Sequence, residues 1–202
     1  MSGGAMDENG KCEWRRRVLA ARQAVPTAVR ESERAALASA LTTALQPEAP
    51  GTVCAYWPVG DEPGSPELID GLVHLGCRIL LPVVSPLGAA PQPLDWAEYQ
   101  GAGSLHIGPL GLLQPDGPRL GCVAISTATL VLVPALAVDL QGIRLGRGGG
   151  YYDRTLPLAT PGTRLVAIVR DDEVLASLPA QPHDVPVTAA LTPGRGLFPL
   201  PC

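Results

Sequence analysis

The apolar run TLVLVPALAV, at residues 129–138, is the feature that most restricts how this chain can fold. A threonine and a proline are the only residues in it that are not simple aliphatic ones. A strand with apolar side chains on both faces is typical of a parallel sheet that helices cover on both sides. The run therefore predicts a buried central strand of a parallel sheet.

Other segments alternate between strand-like and helix-like apolar spacing. The predicted strands are 52–59, 77–84, 94–99, 163–170 and 184–192, and the predicted helices are 11–25, a second one after Pro26, 65–76, 151–158 and 172–178. This alternation predicts an α/β fold, a three-layer α-β-α sandwich around a mostly parallel sheet. We expect residues 1–9 to be a flexible tail and residues 10–202 to form a single domain.

Local signals mark the ends of these helices. Pro26 is expected to end the first helix, and Thr27 is a candidate N-cap of the second. Ser65 is a candidate N-cap for the third, since Pro66 suits a first helical turn and Gly76 suits the position after a helix end.

Composition excludes several classes of protein. The 202 residues carry a formal net charge of -4, which weighs against nucleic acid or an anionic membrane as a partner. No apolar run approaches the roughly 18–20 residues that span a bilayer, and the first residues lack the apolar core of a signal peptide. The five cysteines show no CxxC spacing, and the three histidines show no zinc-site spacing. We therefore expect a cytoplasmic protein with reduced thiols, and a monomer.

The stretch RLGRGGGYYDR, at residues 144–154, follows the central apolar run and combines four glycines with three arginines. Glycines allow positive φ and let backbone N–H groups approach an anion closely. Guanidinium groups match phosphate or carboxylate oxygens in a bidentate way. The spacing is neither that of a P-loop nor that of a dinucleotide-binding fingerprint. The stretch predicts a phosphate site, with a plain glycine-rich turn as the alternative.

Two further alternatives stay open at the level of the residues alone. Asp153 suits a magnesium ion that bridges phosphates, but an aspartate near a helix start is also a common partner of the helix dipole. An Arg/Gly segment also occurs in RNA-binding proteins, against which the negative net charge weighs.

The longer segment VPALAVDLQGIRLGRGGGYYDR closely resembles the signature of the 5-formyltetrahydrofolate cyclo-ligase family, also called 5,10-methenyltetrahydrofolate synthetases. The resemblance covers nearly the whole chain, because KCEWR, YWPVGDEPGSPELI, LLPVV, GLLQPDG and HDVPVTAALT occur in the family's order. It implies an α/β three-layer fold and an ATP- and Mg²⁺-dependent ring closure. The implied substrates are 5-formyltetrahydrofolate and ATP, and the implied products are 5,10-methenyltetrahydrofolate, ADP and phosphate.

The resemblance also implies roles for individual residues. It implies ATP contacts for Lys11, Arg15, Arg144, Leu145, Gly146, Arg147, Gly148, Gly149, Gly150, Tyr151 and Tyr152. It implies substrate contacts for Glu62, Arg147, Gly148, Gly149, Gly150 and Tyr151. Arg147 is the implied catalytic residue, and Asp153 is the implied magnesium ligand.

An alternative within the same family is a non-catalytic relative that binds a folate or a nucleotide. Two departures from the family pattern motivate it: Gly149 stands where many relatives have lysine, and Thr188 stands where some have aspartate.

Overall fold

The structure, a computed structural model, describes residues 3–49, 51–84 and 92–201, with side chains from residue 10 onward. The helices are α1 (Gly3–Gln23), α2 (Thr27–Leu45), α3 (Pro66–His74) and α4 (Tyr151–Thr155). The strands are β1 (Thr52–Cys54), β2 (Arg78–Val83), β3 (Asp95–Glu98), β4 (Leu105–Ile107), β5 (Leu113–Pro115), β6 (Leu130–Pro134), β7 (Ala137–Asp139), β8 (Arg144–Leu145), β9 (Arg164–Ile168), β10 (Val174–Leu175), β11 (Ala189–Thr192) and β12 (Gly196–Pro199).

Seven strands form the main sheet, in the order β12-β11-β9-β6-β1-β2-β3. The five inner strands pair in parallel, whereas β3 and β12 pair antiparallel at the two edges. The expected α/β architecture around a mostly parallel sheet is thus confirmed. β6 lies at the centre between β1 and β9, and its residues Leu130–Val133 are buried, as the apolar run predicts.

The two faces of the main sheet are covered by different elements. Leu130 and Leu132 point to the face that α2 and α3 cover, and Val131 and Val133 point to the opposite face. That second face is covered by α4 and by short 3-10 turns before and after it. The alternation along β6 is the two-residue periodicity of a strand that is buried on both sides.

The predicted continuous strand over 129–138 was wrong in its extent. β6 ends at Pro134, and the chain enters a second sheet, of order β10-β7-β8, at Ala137. Between the two strands, Leu136 donates a backbone hydrogen bond to Leu145 of β8 (2.7 Å), and Ala135 accepts one from the Arg22 side chain (2.7 Å). These bonds replace the strand-to-strand hydrogen bonds of the main sheet. Because the apolar sequence continues through both strands, it did not indicate that the chain leaves one sheet for the other.

The N-terminal helix is longer than its apolar spacing indicates. The predicted helix spans 11–25, whereas α1 runs from Gly3 to Gln23 and so includes residues 3–9 of the segment expected to be a tail. Val18 of α1 packs on the small sheet, with Leu136 and Leu145 among its neighbours. α1 is therefore attached to the part of the chain that leads into the glycine-rich stretch.

The helix-start signals were correct at one of two positions. Ser65 is the N-cap of α3, because its hydroxyl accepts a hydrogen bond from the Leu68 N–H (3.3 Å). The expectation for Thr27 was wrong: Pro26 occupies the N-cap of α2, with no side-chain cap bond, and Thr27 is the first helical residue. Pro26 has an extended backbone (φ -60°, ψ 145°), so it stands outside the helix and α2 begins at the next residue, Thr27.

The region after β9 also differs from expectation. The predicted helix at 172–178 is a 3-10 turn at Asp171–Glu173 followed by β10, which pairs in parallel with β7. The Glu173 carboxylate is buried against Arg22, and this tertiary contact overrides the local helix preference. The hairpin of β4 and β5, and the edge strand β12, lie in segments for which no strand was predicted.

A turn with a demanding geometry joins β7 to β8. Asp139 accepts hydrogen bonds from the N–H groups of Gln141 and Ile143 (both 2.9 Å), which closes the turn. Gly142 has φ +80°, and a Cβ at this position would lie 2.3 Å from the carbonyl oxygen of Val187. The Gly142 carbonyl in turn accepts from the Val187 N–H (2.9 Å). The turn therefore packs so closely against Val187 that only glycine fits at position 142.

Within the described residues, every helix is too short or too polar to cross a lipid bilayer.

We expect the buried pair of Arg22 and Glu173 to be a main determinant of stability. Arg22 is 2% exposed, and its guanidinium binds both Glu173 carboxylate oxygens (2.7 and 2.8 Å). Arg22→Ala leaves a buried carboxylate without its partner, which costs about 3–5 kcal/mol in the free energy of unfolding. Urea denaturation measures this cost.

Arg16→Ala on the same helix is the matched control. Arg16 pairs with Glu13, but their side chains are 78% and 67% exposed, so the loss should be within about 1 kcal/mol. Equal, small losses in the two variants would contradict the structural role of Arg22.

Candidate active site

The order in which successive strands are added to the main sheet reverses between β1 and β6. From β1 the chain proceeds to β2 on one side, whereas β6, β9 and β11 follow on the other side. In open parallel sheets, ligands bind beyond the carboxyl ends of the strands at such a reversal, because the loops diverge there and leave a crevice. The loop after β1 carries Glu62, and the chain after β6 carries the glycine-rich stretch.

Arg147 and Glu62 connect these two segments. The Arg147 Nε donates to Glu62 Oε1 at 2.9 Å across 85 positions of sequence. The Arg147 side chain is 52% exposed, whereas that of Glu62 is 15% exposed. An exposed single-bond pair of this kind contributes about 0–1 kcal/mol, so a ligand can displace it at small cost.

The backbone between β8 and α4 forms the glycine loop, defined here as residues 146–150. Gly148 and Gly150 have φ +100° and +65°, a conformation that favours glycine. Among the residues that the structure describes, none accepts a hydrogen bond from a backbone N–H of this loop. The N–H groups of a loop with positive-φ glycines suit an anion.

Two arginines outside the glycine loop hold its carbonyl groups. Arg15 of α1 donates from Nε to the Gly146 oxygen (3.0 Å), and Arg154 of α4 donates from Nη2 to the Gly149 oxygen (3.0 Å). Two carbonyls of the loop are thus bound by cations, and these bonds leave the N–H groups of the loop unused. Arg15 also contacts Cys12 (3.7 Å).

Arg144 lies beneath the loop and is buried (6% exposed). Its guanidinium donates to Asp153 and to the carbonyl of Val185. Burial lowers the pKa of Arg144 below its ordinary value, while the charges of Asp153 and Asp184 oppose this shift. In this structure Arg144 therefore joins α4 to the C-terminal segment.

Lys11 has a similar buried arrangement. Its Nζ lies 2.7 Å from Asp184 Oδ2, and the two side chains are only 8% and 7% exposed. Asp184 Oδ2 also accepts from the Gln181 N–H (2.7 Å), three residues earlier in the chain. Lys11 is thus the internal partner of Asp184 in this structure.

The remaining residues of the stretch are partly buried. Leu145 is 1% exposed and packs with Val18 of α1. Arg154 lies over the Tyr151 ring (5.4 Å). The buried Tyr152 hydroxyl has no hydrogen-bond partner among the described residues, and burial is the main cause that raises its pKa above the ordinary value. Buried hydroxyls are normally paired, so this donor is unusual.

Glu62 also lines a shallow cleft that is partly open to solvent. Its walls include Arg30 and Arg34 of α2 and Arg170 after β9. Arg30 is bonded to Asp61, and Arg170 to Glu33, so these charges are largely neutralised inside the cleft. Glu62 is the residue that belongs both to this cleft and to the contact with the glycine loop.

Few carboxylates surround the glycine loop. Among the described residues there is no group of three or more His, Cys, Asp or Glu side chains that could enclose a metal ion. Asp153 supplies one carboxylate, with its side chain 32% exposed and Oδ1 bonded to Arg144. Mg²⁺ commonly takes one or two carboxylates, with phosphate oxygens and water as its other ligands, so a single aspartate beside a phosphate site fits this ion. Thr188 is used elsewhere, because its hydroxyl bonds to the backbone of Leu165.

The structure thus brings together most of the residues that the sequence pointed to. Arg147 meets Glu62, Asp153 meets Arg144, and Arg15 meets the loop. Asp184 was missed as a partner of Lys11: its segment was part of the family resemblance, but nothing in the sequence relates two residues 173 positions apart.

Known proteins similar to this chain agree with one another. The sequence matches the 5-formyltetrahydrofolate cyclo-ligase family over residues 7–193. A 5-formyltetrahydrofolate cyclo-ligase of Mycolicibacterium smegmatis is 47% identical over 96% of this chain and 100% of its own length. The Escherichia coli K12 protein of the same name is 30% identical over 71% of this chain and 79% of its own length.

Solved structures have the same fold. An Aquifex aeolicus 5,10-methenyltetrahydrofolate synthetase superimposes with a TM-score of 0.74 at 25% identity, covering 95% of this chain and 93% of its own. A Mycoplasma pneumoniae 5,10-methenyltetrahydrofolate synthetase has a TM-score of 0.70 at 20% identity, covering 89% and 96%. Since the family match spans nearly the whole described chain and the identity to the mycobacterial relative is high along its full length, this protein belongs to the 5-formyltetrahydrofolate cyclo-ligase family.

Proposed function

We propose that this protein converts 5-formyltetrahydrofolate to 5,10-methenyltetrahydrofolate, with ATP consumed and ADP and phosphate released. The family membership and the names of its relatives support the reaction class. The observation that carries the proposal on the structural side is the exchangeable contact of Arg147 with Glu62, beside a loop whose N–H groups have no acceptor among the described residues.

The chemistry of the substrate explains why a phosphate site is needed. The formyl group is an amide, and its oxygen is a poor leaving group when N10 attacks the formyl carbon. Transfer of the γ-phosphoryl group forms a bond from the formyl oxygen to phosphorus and breaks the bond to ADP. N10 then attacks the resulting iminium phosphate, the carbon–oxygen bond breaks, and the oxygen leaves in the phosphate, which also takes up the N10 proton in the overall balance.

In this scheme the glycine loop and Arg147 bind the triphosphate. Phosphoryl transfer depends mainly on positioning and on positive charge around the transferring group. The loop N–H groups approach phosphate oxygens closely, and the half-exposed Arg147 guanidinium turns from Glu62 toward the γ-phosphate. No nucleophilic side chain is required, because N10 of the substrate supplies the attacking electron pair.

Glu62 is the proposed substrate contact. When Arg147 moves to phosphate, Oε1 of Glu62 becomes available to accept hydrogen bonds from N–H groups of the pteridine, while Oε2 keeps its bond to the Val59 N–H (3.0 Å). Tyr151 and the glycines of the loop then face both ligands.

The buried cations have a different proposed role. Lys11 and Arg144 are each bonded to an internal aspartate, so a direct phosphate contact requires the loss of buried bonds. We assign them mainly to holding α1, α4 and the C-terminal segment around the triphosphate, with Arg15 nearest the loop on α1. Leu145 and Tyr152 line this region from below.

Asp153 is the proposed magnesium ligand. When bound, Mg²⁺ supplies positive charge that neutralises the phosphate oxygens. Asp153 would hold the ion from the first helical turn after the loop, and Arg144 would keep the carboxylate oriented. Cytoplasmic location and a monomeric state stay predictions.

The decisive experiment mixes the purified protein with 5-formyltetrahydrofolate, ATP and Mg²⁺. The methenyl product absorbs in the near ultraviolet, so we expect an absorbance rise that requires ATP. Binding of both ligands without this rise would favour the non-catalytic alternative, and absence of binding would remove the proposal.

Arg147→Ala should lower kcat by about 10²–10³-fold, the usual effect of removing a group that stabilises transition-state charge. Its side chain is half exposed, so the melting temperature should stay within about 2 °C of wild type. Arg144→Ala is the matched comparison. It removes a buried guanidinium and leaves the groups that it binds without their partner, so it should lower the melting temperature clearly. Wild-type turnover in Arg147→Ala would contradict its catalytic role.

Asp153→Asn preserves an oxygen acceptor for Arg144 but removes the negative charge. We expect the Mg²⁺ concentration for half-maximal activity to rise at least about tenfold, because a neutral amide is a weaker ligand for a hard cation. A magnesium titration of the rate measures this shift. An unchanged requirement, with the rate lowered or not, would show that Asp153 is not a ligand.

A further inference from the structure

The loop between β1 and α3 carries Glu62 and is rich in residues that favour turns. Residues 55–65, named here the Glu62 loop, include two prolines and two glycines, and no strand or helix forms within them. Such a segment keeps a carboxylate in one place only if tertiary contacts hold it.

Contacts inside the loop fix Glu62 relative to its neighbours. The Glu62 N–H donates to the Val59 carbonyl (3.2 Å), and the Val59 N–H donates to Glu62 Oε2 (3.0 Å). These bonds close a small ring of backbone and side chain, but they do not attach that ring to the rest of the protein.

Tyr56 supplies a buried attachment. Its hydroxyl donates to the carbonyl oxygen of Pro63 at 2.6 Å, and both residues are buried. Tyr56 lies two residues after Cys54, the buried end of β1, and Pro63 directly follows Glu62. One hydrogen bond therefore joins the core of the sheet to the peptide that carries Glu62.

The backbone is shaped around this hydroxyl. Gly64 has φ +104°, and a Cβ there would lie 3.2 Å from Pro58 Cγ and 3.5 Å from the Tyr56 hydroxyl oxygen. Burial, followed by the nearby Glu62 charge, raises the pKa of Tyr56 well above its ordinary value, so the phenol remains a donor. The phenol tip thus occupies the inside of the loop.

The contacts on the outer side of the loop are more exposed. Arg30 is paired with Asp61, with side chains 29% and 31% exposed, and Arg34 donates to the Gly60 carbonyl (3.1 Å). Exposed contacts of this kind hold a loop weakly. At the start of the loop, the Ala55 N–H donates to the Leu80 carbonyl (2.9 Å). Next to Glu62 itself, the bond from Tyr56 to Pro63 is a buried tie.

We infer that Tyr56 is a positioning residue for the substrate: its hydroxyl, through Pro63, holds the Glu62 carboxylate where the pteridine binds. This inference rests on the proposed function, because it takes Glu62 as the substrate contact. In this role Tyr56 contacts neither 5-formyltetrahydrofolate nor ATP.

Tyr56→Phe tests it by removing one oxygen atom. We expect KM for 5-formyltetrahydrofolate to rise about tenfold, as befits the loss of a buried hydrogen bond that leaves a carbonyl unpaired, while KM for ATP changes less than twofold. Tyr99→Phe is the matched control, since it keeps the ring beside Trp57 and removes a hydroxyl that is bonded to Asp70 of α3 (3.1 Å) rather than to the Glu62 loop. It should leave both KM values unchanged. Equal rises for both substrates in Tyr56→Phe would indicate general loosening and overturn the inference.

A double-mutant cycle with Glu62→Gln separates positioning from other effects. The dissociation constant of 5-formyltetrahydrofolate is measured by equilibrium binding, so the test does not need turnover. We expect Tyr56→Phe to weaken binding about tenfold when Glu62 is present and less than twofold in the Glu62→Gln background. The same loss in both backgrounds would show that Tyr56 acts by another route.

Gly64→Ala is the second variant if Tyr56→Phe fails to fold. Position 64 has φ +104°, which strains alanine, and the added methyl group would lie 3.2 Å from Pro58 Cγ, so this variant should shift the Glu62 loop and weaken binding selectively in the same cycle. If the wild-type protein binds 5-formyltetrahydrofolate but does not convert it, the proposed reaction is contradicted, and the double-mutant cycle still tests the role of Tyr56. A wild-type protein that does not bind the substrate removes both.

Discussion

The reversal of strand order between β1 and β6 is the constraint on which the site depends. The loops that leave these neighbouring strands run to opposite sides, so the space beyond their ends is not filled by a connection. Arg147 and Glu62 reach across that space from the two segments. A sheet with the same strands in simple sequential order would place these side chains on unrelated surfaces.

Charge is arranged in two layers around this crevice. The inner layer consists of buried pairs, Lys11 with Asp184 and Arg144 with Asp153, whose separation would leave a charge in a poorly solvated place. The outer layer is the solvated contact of Arg147 with Glu62. The inner pairs are suited to hold shape, and the outer contact is suited to be exchanged when a ligand arrives.

Sequence patterns predicted those parts of the molecule that local chemistry decides. The apolar run located the central strand, and Ser65 with Pro66 located the start of α3, because burial and capping act over a few residues. The change of sheet after Pro134 and the short strand after Glu173 depend on Arg22, more than a hundred positions away. The glycine loop was found from its composition and the family resemblance, and Asp153, the partner of Arg144, lies in the same stretch of residues 144–154. The partner of Lys11 is 173 positions away and left no local trace.

The tight turn at Gly142 makes this residue sensitive to mutation, although it has no proposed contact with a ligand. There is no room for even one methyl group between this residue and the carbonyl of Val187, and Arg144, two positions later, binds the carbonyl of Val185. Anything larger than hydrogen at position 142 would push the hairpin off the 185–187 segment and carry Arg144 with it. We therefore expect evolution to retain glycine at position 142, although no ligand is expected to contact it.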